Sequence, residues 1–372
     1  MCSIYSFILL LFLIIQGANS RRERPNIILF IADDLGYGDL SSFGHPTSST
    51  HNIDELAAKS LLFTNYYSAS PLCSPSRAAI LAGEYPARSG IYPGVFFPDS
   101  TGGLDPSKET ITKELRRRYG YKSALIGKWH LGVGKKGEYL PTTSQNFDYY
   151  YGIPYAHDMC PCHECFAKGD CLSTCHDKFV GCPLYENNSI VEQPANLVTL
   201  TQRYTNKALK FLSQNHKSHF FLTYSFHQAH HPQFAGPRFH NTSSRGAIGD
   251  ALMEMDDAVG TIIRYIKKLG LRTKTLVLFT SDNGPSLQRQ ERGGSAGLLR
   301  CGKGTTYEGG MRVPFLMHWS GFIMPRVSHA LITALDIYPT LMSIISVTYS
   351  NSTDGYDFTK LILKNDEKHV SK

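Results

Sequence analysis

The 372-residue sequence lacks an apolar run long enough to span a bilayer. Its most apolar stretch, residues 4–15, is well short of the ~20 residues that a membrane helix needs. Ala18-Asn19-Ser20 follows it as a cleavage site, so residues 1–20 read as a secretory signal peptide removed near Ser20, although the run lacks the Lys or Arg that normally precedes such a segment. Concentrated charge is also missing. Lys and Arg (38) exceed Asp and Glu (31) for a net charge of +7, but the excess is scattered. The densest groups, Arg21-Arg22-Glu23-Arg24 and Arg116-Arg117-Arg118, fit a solvated tail and a helix face, which excludes nucleic acid as a partner class. There is no internal repeat and no low-complexity segment, so solenoid and fibrous architectures are excluded. Cysteine is scarce outside one segment: six of the nine fall at 160, 162, 165, 171, 175 and 182.

What is present is ordinary globular material, 42% hydrophobic and 19% charged, enough for a sizeable core. Residues 26–31 (Asn-Ile-Ile-Leu-Phe-Ile) form an unbroken apolar run, the pattern of a parallel strand buried on both faces. It stops at Asp33-Asp34. Residues 123–127 give a second strand, which delivers Lys128 and His130. Residues 220–226 give a third, ending at His227 with His230 and His231 beyond. Residues 275–280 give a fourth, running into Asp282-Asn283. Helices are expected over 52–59, around Ile111 and Leu115 up to Gly120, along Leu200, Tyr204, Ala208 and Phe211, and along Leu252, Met255, Val259, Ile262 and Ile266 up to Gly270. Residues 90–103 read as loop. The alternation predicts an α/β sandwich with a mostly parallel central sheet flanked by helices. In such sheets, ligands gather beyond the carboxyl ends of the strands. Four strand ends carrying acids, lysine and histidine are hard to explain as packing.

Asp33, Asp34, Asp282 and Asn283 offer hard oxygen donors, which suit Ca²⁺ or Mg²⁺ rather than zinc. Either motif alone reads as a turn or cap. Arg77, Lys128 and Lys303, with His130 and His230, supply positive charge for an anion. The stretch Cys73-Ser-Pro-Ser-Arg77, continued by Ala-Ala-Ile-Leu-Ala-Gly83, reads as a helix start: Ser74 as cap, Pro75 at the first helical position, Gly83 as terminator. Cys73 then lies beside a helix N-terminus, where anions are favoured, with Arg77 one turn on. The bland alternative is a capped surface helix beside a structural cysteine. For residues 160–182, three disulfides and a zinc knot using the Cys162-x-x-Cys165 spacing with His163 and His176 are the competing readings, and secretion favours disulfides. Three sequons, at Asn187, Asn241 and Asn351, agree with secretion.

Cys73-Ser-Pro-Ser-Arg77, with Ala32-Asp33-Asp34-Leu-Gly-Tyr-Gly-Asp39, Gly127-Lys128-Trp-His130-Leu-Gly-Val-Gly134 and Cys301-Gly-Lys303-Gly-Thr-Thr-Tyr-Glu-Gly-Gly310, resembles the sulfatase family, in particular chains of the arylsulfatase A type. The likeness runs from about 25 to about 363. It implies an alkaline-phosphatase/sulfatase-like sandwich over 21–363 that hydrolyses sulfate esters of small molecules or glycolipids, in the lysosome or outside the cell. It also implies one Ca²⁺ ion and a formylglycine made from Cys73 by a formylglycine-generating enzyme, and it leaves room for a homo-oligomer. By resemblance, the hydrated formylglycine is held by the metal and Arg77, and attacks sulfur with Asp282 as base. His230 and Lys303 bind the sulfate and protonate the leaving oxygen; His130 helps the second hydroxyl expel sulfate; Lys128 stabilises nucleophile and substrate. Two departures stand out. Ala156, in Gly152-Ile-Pro-Tyr-Ala156-His-Asp158, occupies a position where such chains carry a substrate-contacting serine. Related chains also continue into a smaller C-terminal domain, to which the cysteine matching Cys301 is bridged; here 364–372 reads as a polar tail. Cys301 is therefore expected as a free thiol or a link between two chains. The alternatives are a phosphate or phosphonate monoester hydrolase of the same fold, and an inactive secreted binding protein.

Overall fold

All eight residues of β1 (Asn26–Asp33) are buried, as expected of a strand covered on both faces. The computed structural model describes residues 24–159, 181–347 and 353–366. After β1 come β2 (Leu61–Phe63), β3 (Tyr66–Tyr67), β4 (Lys122–Gly127), β5 (Tyr149–Gly152), β6 (Leu184–Glu186), β7 (Ser189–Glu192), β8 (Phe220–Ala229), β9 (Thr275–Ser281), β10 (Phe315–His318), β11 (Arg326–Ser328) and β12 (Ile332–Thr333). Ten of them form one sheet in the order β11-β2-β10-β9-β1-β8-β4-β5-β6-β7, and β12 pairs with β3 separately. Its centre, β9-β1-β8-β4-β5, is wholly parallel. Antiparallel pairing enters only where β10 joins β9 and β2, and where β6 and β7 follow β5.

The pleat of β1 divides the core. Ile28, Phe30 and Ala32 point into one layer with Leu252, Met255, Val259 and Ile262 of the Gly246–Lys268 helix and with residues of the Leu200–Asn215 helix. Ile27, Leu29 and Ile31 point into the other, with the Cys73–Ala82, Ile111–Tyr119 and Ile337–Ile344 helices. Each such side chain, fully buried, contributes about 1.5–3 kcal/mol. β1 and β9 stay in register from Asn26↔Thr275 to Ala32↔Ser281, whereas β1 and β8 shift between Ile31 and Asp33. The strand ends are thereby aligned.

Several expectations need correction. All ten residues of the Cys73–Ala82 helix are buried, so it is an interior element. Cys73 is its first residue, Leu72 occupies the cap position and no side chain caps it; Pro75 is the third residue. Ser74 Oγ instead accepts a bond from the Phe96 N–H at 3.2 Å. Gly83 does end the helix, left-handed at φ 66°. The third strand does not stop at His227 but continues to Ala229. Lys364, read as tail, closes the Thr359–Lys364 helix. Cys182 is disulfide-bonded and Cys301 is an exposed free thiol. Asn187 and Asn241 are exposed. The signal segment, Cys160, Cys162, Cys165, Cys171, Cys175, Asn351 and residues 367–372 lie outside the described residues. Among the described residues no helix is long and apolar enough to cross a membrane.

Candidate active site

The carboxyl ends of β9, β1, β8 and β4 are neighbours in the sheet, and each delivers the polar groups that the sequence placed there. Asp33 closes β1 and Asp34 follows it; Asp282 and Asn283 follow β9; His230 follows β8; Lys128 and His130 follow β4. The first turn of the Cys73–Ala82 helix brings Cys73 and Arg77, and a loop brings Lys303. All except Lys303 are buried. Ligand atoms of Asp33, Asp34, Cys73 and His230 lie within 4.8 Å of one another.

Local backbone explains the convergence. Asp34 has φ 58° and His130 φ 62°, in the left-handed region where non-glycine residues are strained. The Asp34 N–H is held by Asp282 Oδ1 at 3.1 Å. Gly127 has φ 111°, and a Cβ there would meet the Ser225 carbonyl oxygen at 1.7 Å. Only glycine lets β4 turn out beside β8 and deliver Lys128.

Arg77 is the hub. Its Nε donates to Asp282 Oδ2 at 2.9 Å, Nη1 donates to Ser225 Oγ at 2.6 Å, and Nη2 lies 2.8 Å from Asp282 Oδ2 and 3.4 Å from Asp33 Oδ1. Lys128 Nζ donates to Asp33 Oδ2 at 2.6 Å. Lys303 Nζ lies 2.7 Å from Asp34 Oδ1 and 3.5 Å from Cys73 Sγ. Cys73 Sγ lies 3.6 Å from Asp33 Oδ1 and 3.9 Å from Asp34 Oδ1. Three carboxylates thus face three permanent cations.

These contacts split the two adjacent aspartates. Burial alone would raise Asp33, but Lys128, then His230, Arg77 and Lys303 outweigh it and hold the carboxyl well below its usual range. Burial raises Asp34 to about 6; Lys303 opposes it, while Asp33 and Asp282 reinforce it. Burial, and then Asp282, pushes the Cys73 thiol up, so a free thiolate is disfavoured. His130 and His230 are both held well below the ordinary histidine range, first by burial and then by Lys128 and Lys303 respectively. His130 Nε2 bonds the Phe96 carbonyl at 3.0 Å, which leaves Nδ1, buried and without a partner, as the proton acceptor. His230 Nδ1 bonds the His231 carbonyl at 2.6 Å, which turns Nε2 towards Asp34 Oδ2 at 3.7 Å.

The donor set fits a hard cation. Asn283 donates from Nδ2 to Asp34 Oδ1 at 2.8 Å, but its Oδ1 is buried without a partner. A buried acceptor of this kind wants a donor or an ion. With three carboxylates around it, a divalent cation such as Ca²⁺ is the group that those oxygens suit.

Other contributors were not visible in the sequence. Ser225, the bonding partner of Arg77, is hidden in the apolar run Phe-Phe-Leu-Thr-Tyr-Ser-Phe of β8, where its one signal is a hydroxyl at a fully buried position. Ser281 Oγ accepts the Leu35 N–H at 2.9 Å and donates to the Asn283 carbonyl at 2.9 Å, tying β9 to the turn after β1. His157 is buried and packs its ring edge-on against His230 at 5.3 Å. His227, left out of the site by the sequence reading, contacts Tyr204 Oη through Nε2 at 3.2 Å.

The family model described as Sulfatase matches residues 25–347. Arylsulfatase A from Homo sapiens is 49% identical over 345 residues, covering 91% of this chain and 68% of the relative. N-acetylgalactosamine-6-sulfatase from Homo sapiens is 37% identical over 369 residues, covering 94% and 68%. Among solved structures, a sulfatase from Pseudoalteromonas sp. superposes with a TM-score of 0.78 at 29% identity, over 94% of this chain and 73% of that one. A phosphonate monoester hydrolase from Agrobacterium radiobacter shares the fold at a TM-score of 0.65 and 20% identity, over 94% and 79%. With the family pattern spanning the strands that build the site, and with relatives this similar over nearly the whole chain, the protein belongs to the sulfatase family and is a sulfuric ester hydrolase.

Proposed function

We propose that this chain is a calcium-dependent hydrolase of aryl and glycolipid sulfate esters, with Cys73 converted to formylglycine by a formylglycine-generating enzyme, acting in the lysosome or outside the cell. The observation that carries the reading is the buried meeting of Cys73 with three carboxylates and three cations at adjacent strand ends. Asp33, Asp34, Asp282 and Asn283 would hold one Ca²⁺. Together with the aldehyde at position 73, that ion would supply a hydrated nucleophile and a Lewis acid for the sulfate oxygens. The carboxylates are already matched by cations, so an added divalent charge turns the pocket positive, as an anionic ester requires.

The surrounding residues have separable tasks. Arg77, clamped by Asp282 and Ser225, fixes the position-73 side of the pocket and cannot swing away. Lys128, held by Asp33, keeps positive charge beside the nucleophile. Asp282 is placed to take the proton released there. Lys303 stays charged because Asp34, Cys73 and Asp33 together outweigh the effect of burial, and it serves as the fixed cation for a sulfate oxygen. His230 becomes a donor from Nε2 once a bound anion offsets Lys303, and can then protonate the leaving oxygen. His130 accepts a proton at Nδ1 in the step that releases sulfate. Burial keeps water from competing with these groups.

The test is steady-state turnover of an aryl sulfate against the matching aryl phosphate, using protein secreted from its own cells. Turnover of the sulfate by at least about a hundredfold over the phosphate is expected; the reverse preference would overturn the reading. Ala156→Ser probes the pocket edge. Ala156 is buried just before His157, and a restored hydroxyl bond is worth about 0.5–1.5 kcal/mol. A several-fold change in KM with an unchanged melting temperature is therefore expected. Identical kinetics on every sulfate ester tried would remove position 156 from the substrate.

A further inference from the structure

At the opposite end of the sheet from Asp282, roughly 20 Å away along the seven residues of β9, a cleft opens between the His51–Ala57 and Gly246–Lys268 helices. We infer that it binds an amphipathic anion, an alkyl chain bearing a carboxylate or phosphate head. The cleft encloses about 380 Å³, within the range of small-molecule sites. Leu56, Ile266, Val277 and Ile323 line it with aliphatic surface, and each is itself no more than 5% exposed. Lys59, Arg264, Lys267 and Arg272 also line it, against a single carboxylate, Glu55.

Those cations are only partly spent. Lys59 pairs with Glu55 at 2.5 Å, and Arg264 leans on Asn52 Oδ1 at 2.7 Å and on Asp257 at 3.9 Å. Lys267 and Arg272 form no ion pair among the described residues. His318, also in the lining, donates from Nδ1 to the Lys59 carbonyl at 2.7 Å. Burial disfavours its charged form; the bond to the Lys59 carbonyl opposes this and the Lys59 and Arg272 charges add to it, so both cations bear on this cleft. Unpaired positive charge over an apolar floor repels cations and wastes a purely neutral ligand. The lining holds no Phe, Tyr or Trp on which a nucleobase could stack. Its surface is aliphatic, which selects an alkyl chain, and the head group then meets Lys267 and Arg272 at the exposed rim. Pro325 also borders a second, more open hollow with Leu62 and Val327, and Val327 is 55% exposed, so a longer chain has apolar surface to follow.

The experiment is calorimetric titration of the full chain with dodecanoate below its micellar concentration, beside inorganic phosphate and octyl maltoside. Saturable binding of one dodecanoate is expected, with both comparators at least tenfold weaker. Lys267→Glu with Arg272→Glu should weaken dodecanoate at least tenfold, and Ser320→Phe, which fills the cleft, should do the same. Neither change touches the strand-end cluster, so aryl sulfate turnover should stay at the parent value and also reports that the variants fold. Absence of saturable binding by the parent overturns the inference. Affinity unaffected by both the charge reversal and Ser320→Phe, in variants with parent turnover, overturns it equally.

Discussion

Asp282→Asn is expected to fold with a lowered melting temperature, and to lose bound calcium and at least about a hundredfold of its turnover. The amide keeps the shape of the carboxylate and its oxygen can still accept the Asp34 N–H, but its NH2 then faces the Arg77 N–H donors that Oδ2 accepted. It removes the negative charge that faces Arg77 and the proposed ion. Substituting even groups that merely support metal ligands costs about 10–100-fold in affinity or activity, so a ligand that also pairs with the central arginine sits at or beyond the top of that range. Asp282→Ala should do more. With no acceptor left, Arg77 Nε and Nη2 lose their shortest charged contacts and the Asp34 N–H loses its partner. Breaking one side of a buried ion pair costs about 3–5 kcal/mol. Calcium content, thermal unfolding and aryl sulfate turnover measured together separate the two variants. Full activity in Asp282→Asn would show that this carboxylate neither holds metal nor moves a proton.

Arg77→Ala is the second change with a large effect, and here stability falls along with activity. Arg77 is 3% exposed and bridges Asp33, Asp282 and Ser225 from a helix buried along its whole length. Its removal leaves the buried Asp33 and Asp282 carboxylates without the cation that bridges them, again a loss of about 3–5 kcal/mol. Arg77→Lys keeps the charge but cannot form the fork across Asp282 and Ser225. It should recover much of the folding stability and little of the turnover. Equal rescue of both would mean that Arg77 acts as a point charge and not as a positioned clamp. The comparison is made by denaturant unfolding and kcat on an aryl sulfate.

The legible parts of this molecule are those where burial on two faces writes an unbroken apolar run and a strand end interrupts it with polar groups. Asn-Ile-Ile-Leu-Phe-Ile stopping at Asp33-Asp34 is such a case, and the adjacent ends of β9, β8 and β4 complete the cluster. The flanking strands were not readable. β2, β10 and β11 are three or four residues long, too short to show a period, and they are held by partners far along the chain. Ser225 was invisible because a single hydroxyl in a buried run looks like tolerated polarity until Arg77 is seen against it. The start of the Cys73–Ala82 helix was misread for a related reason. Ser74 has the right type for a cap, but in an interior helix its hydroxyl is committed to the Phe96 loop. The converted cysteine is a different matter: spacing and chemistry place Cys73 beside cations, and only the likeness to sulfatases suggests that its thiol is replaced.

That replacement is the centre of the account, and one measurement addresses it directly. Catalytically active protein, purified from the medium of its own cells, is digested, and the peptide carrying residue 73 is weighed in parallel with an assay of the same sample. The account predicts the mass of an aldehyde in place of the thiol, in a fraction that rises and falls with specific activity between preparations. An intact Cys73 thiol throughout a fully active sample would contradict it.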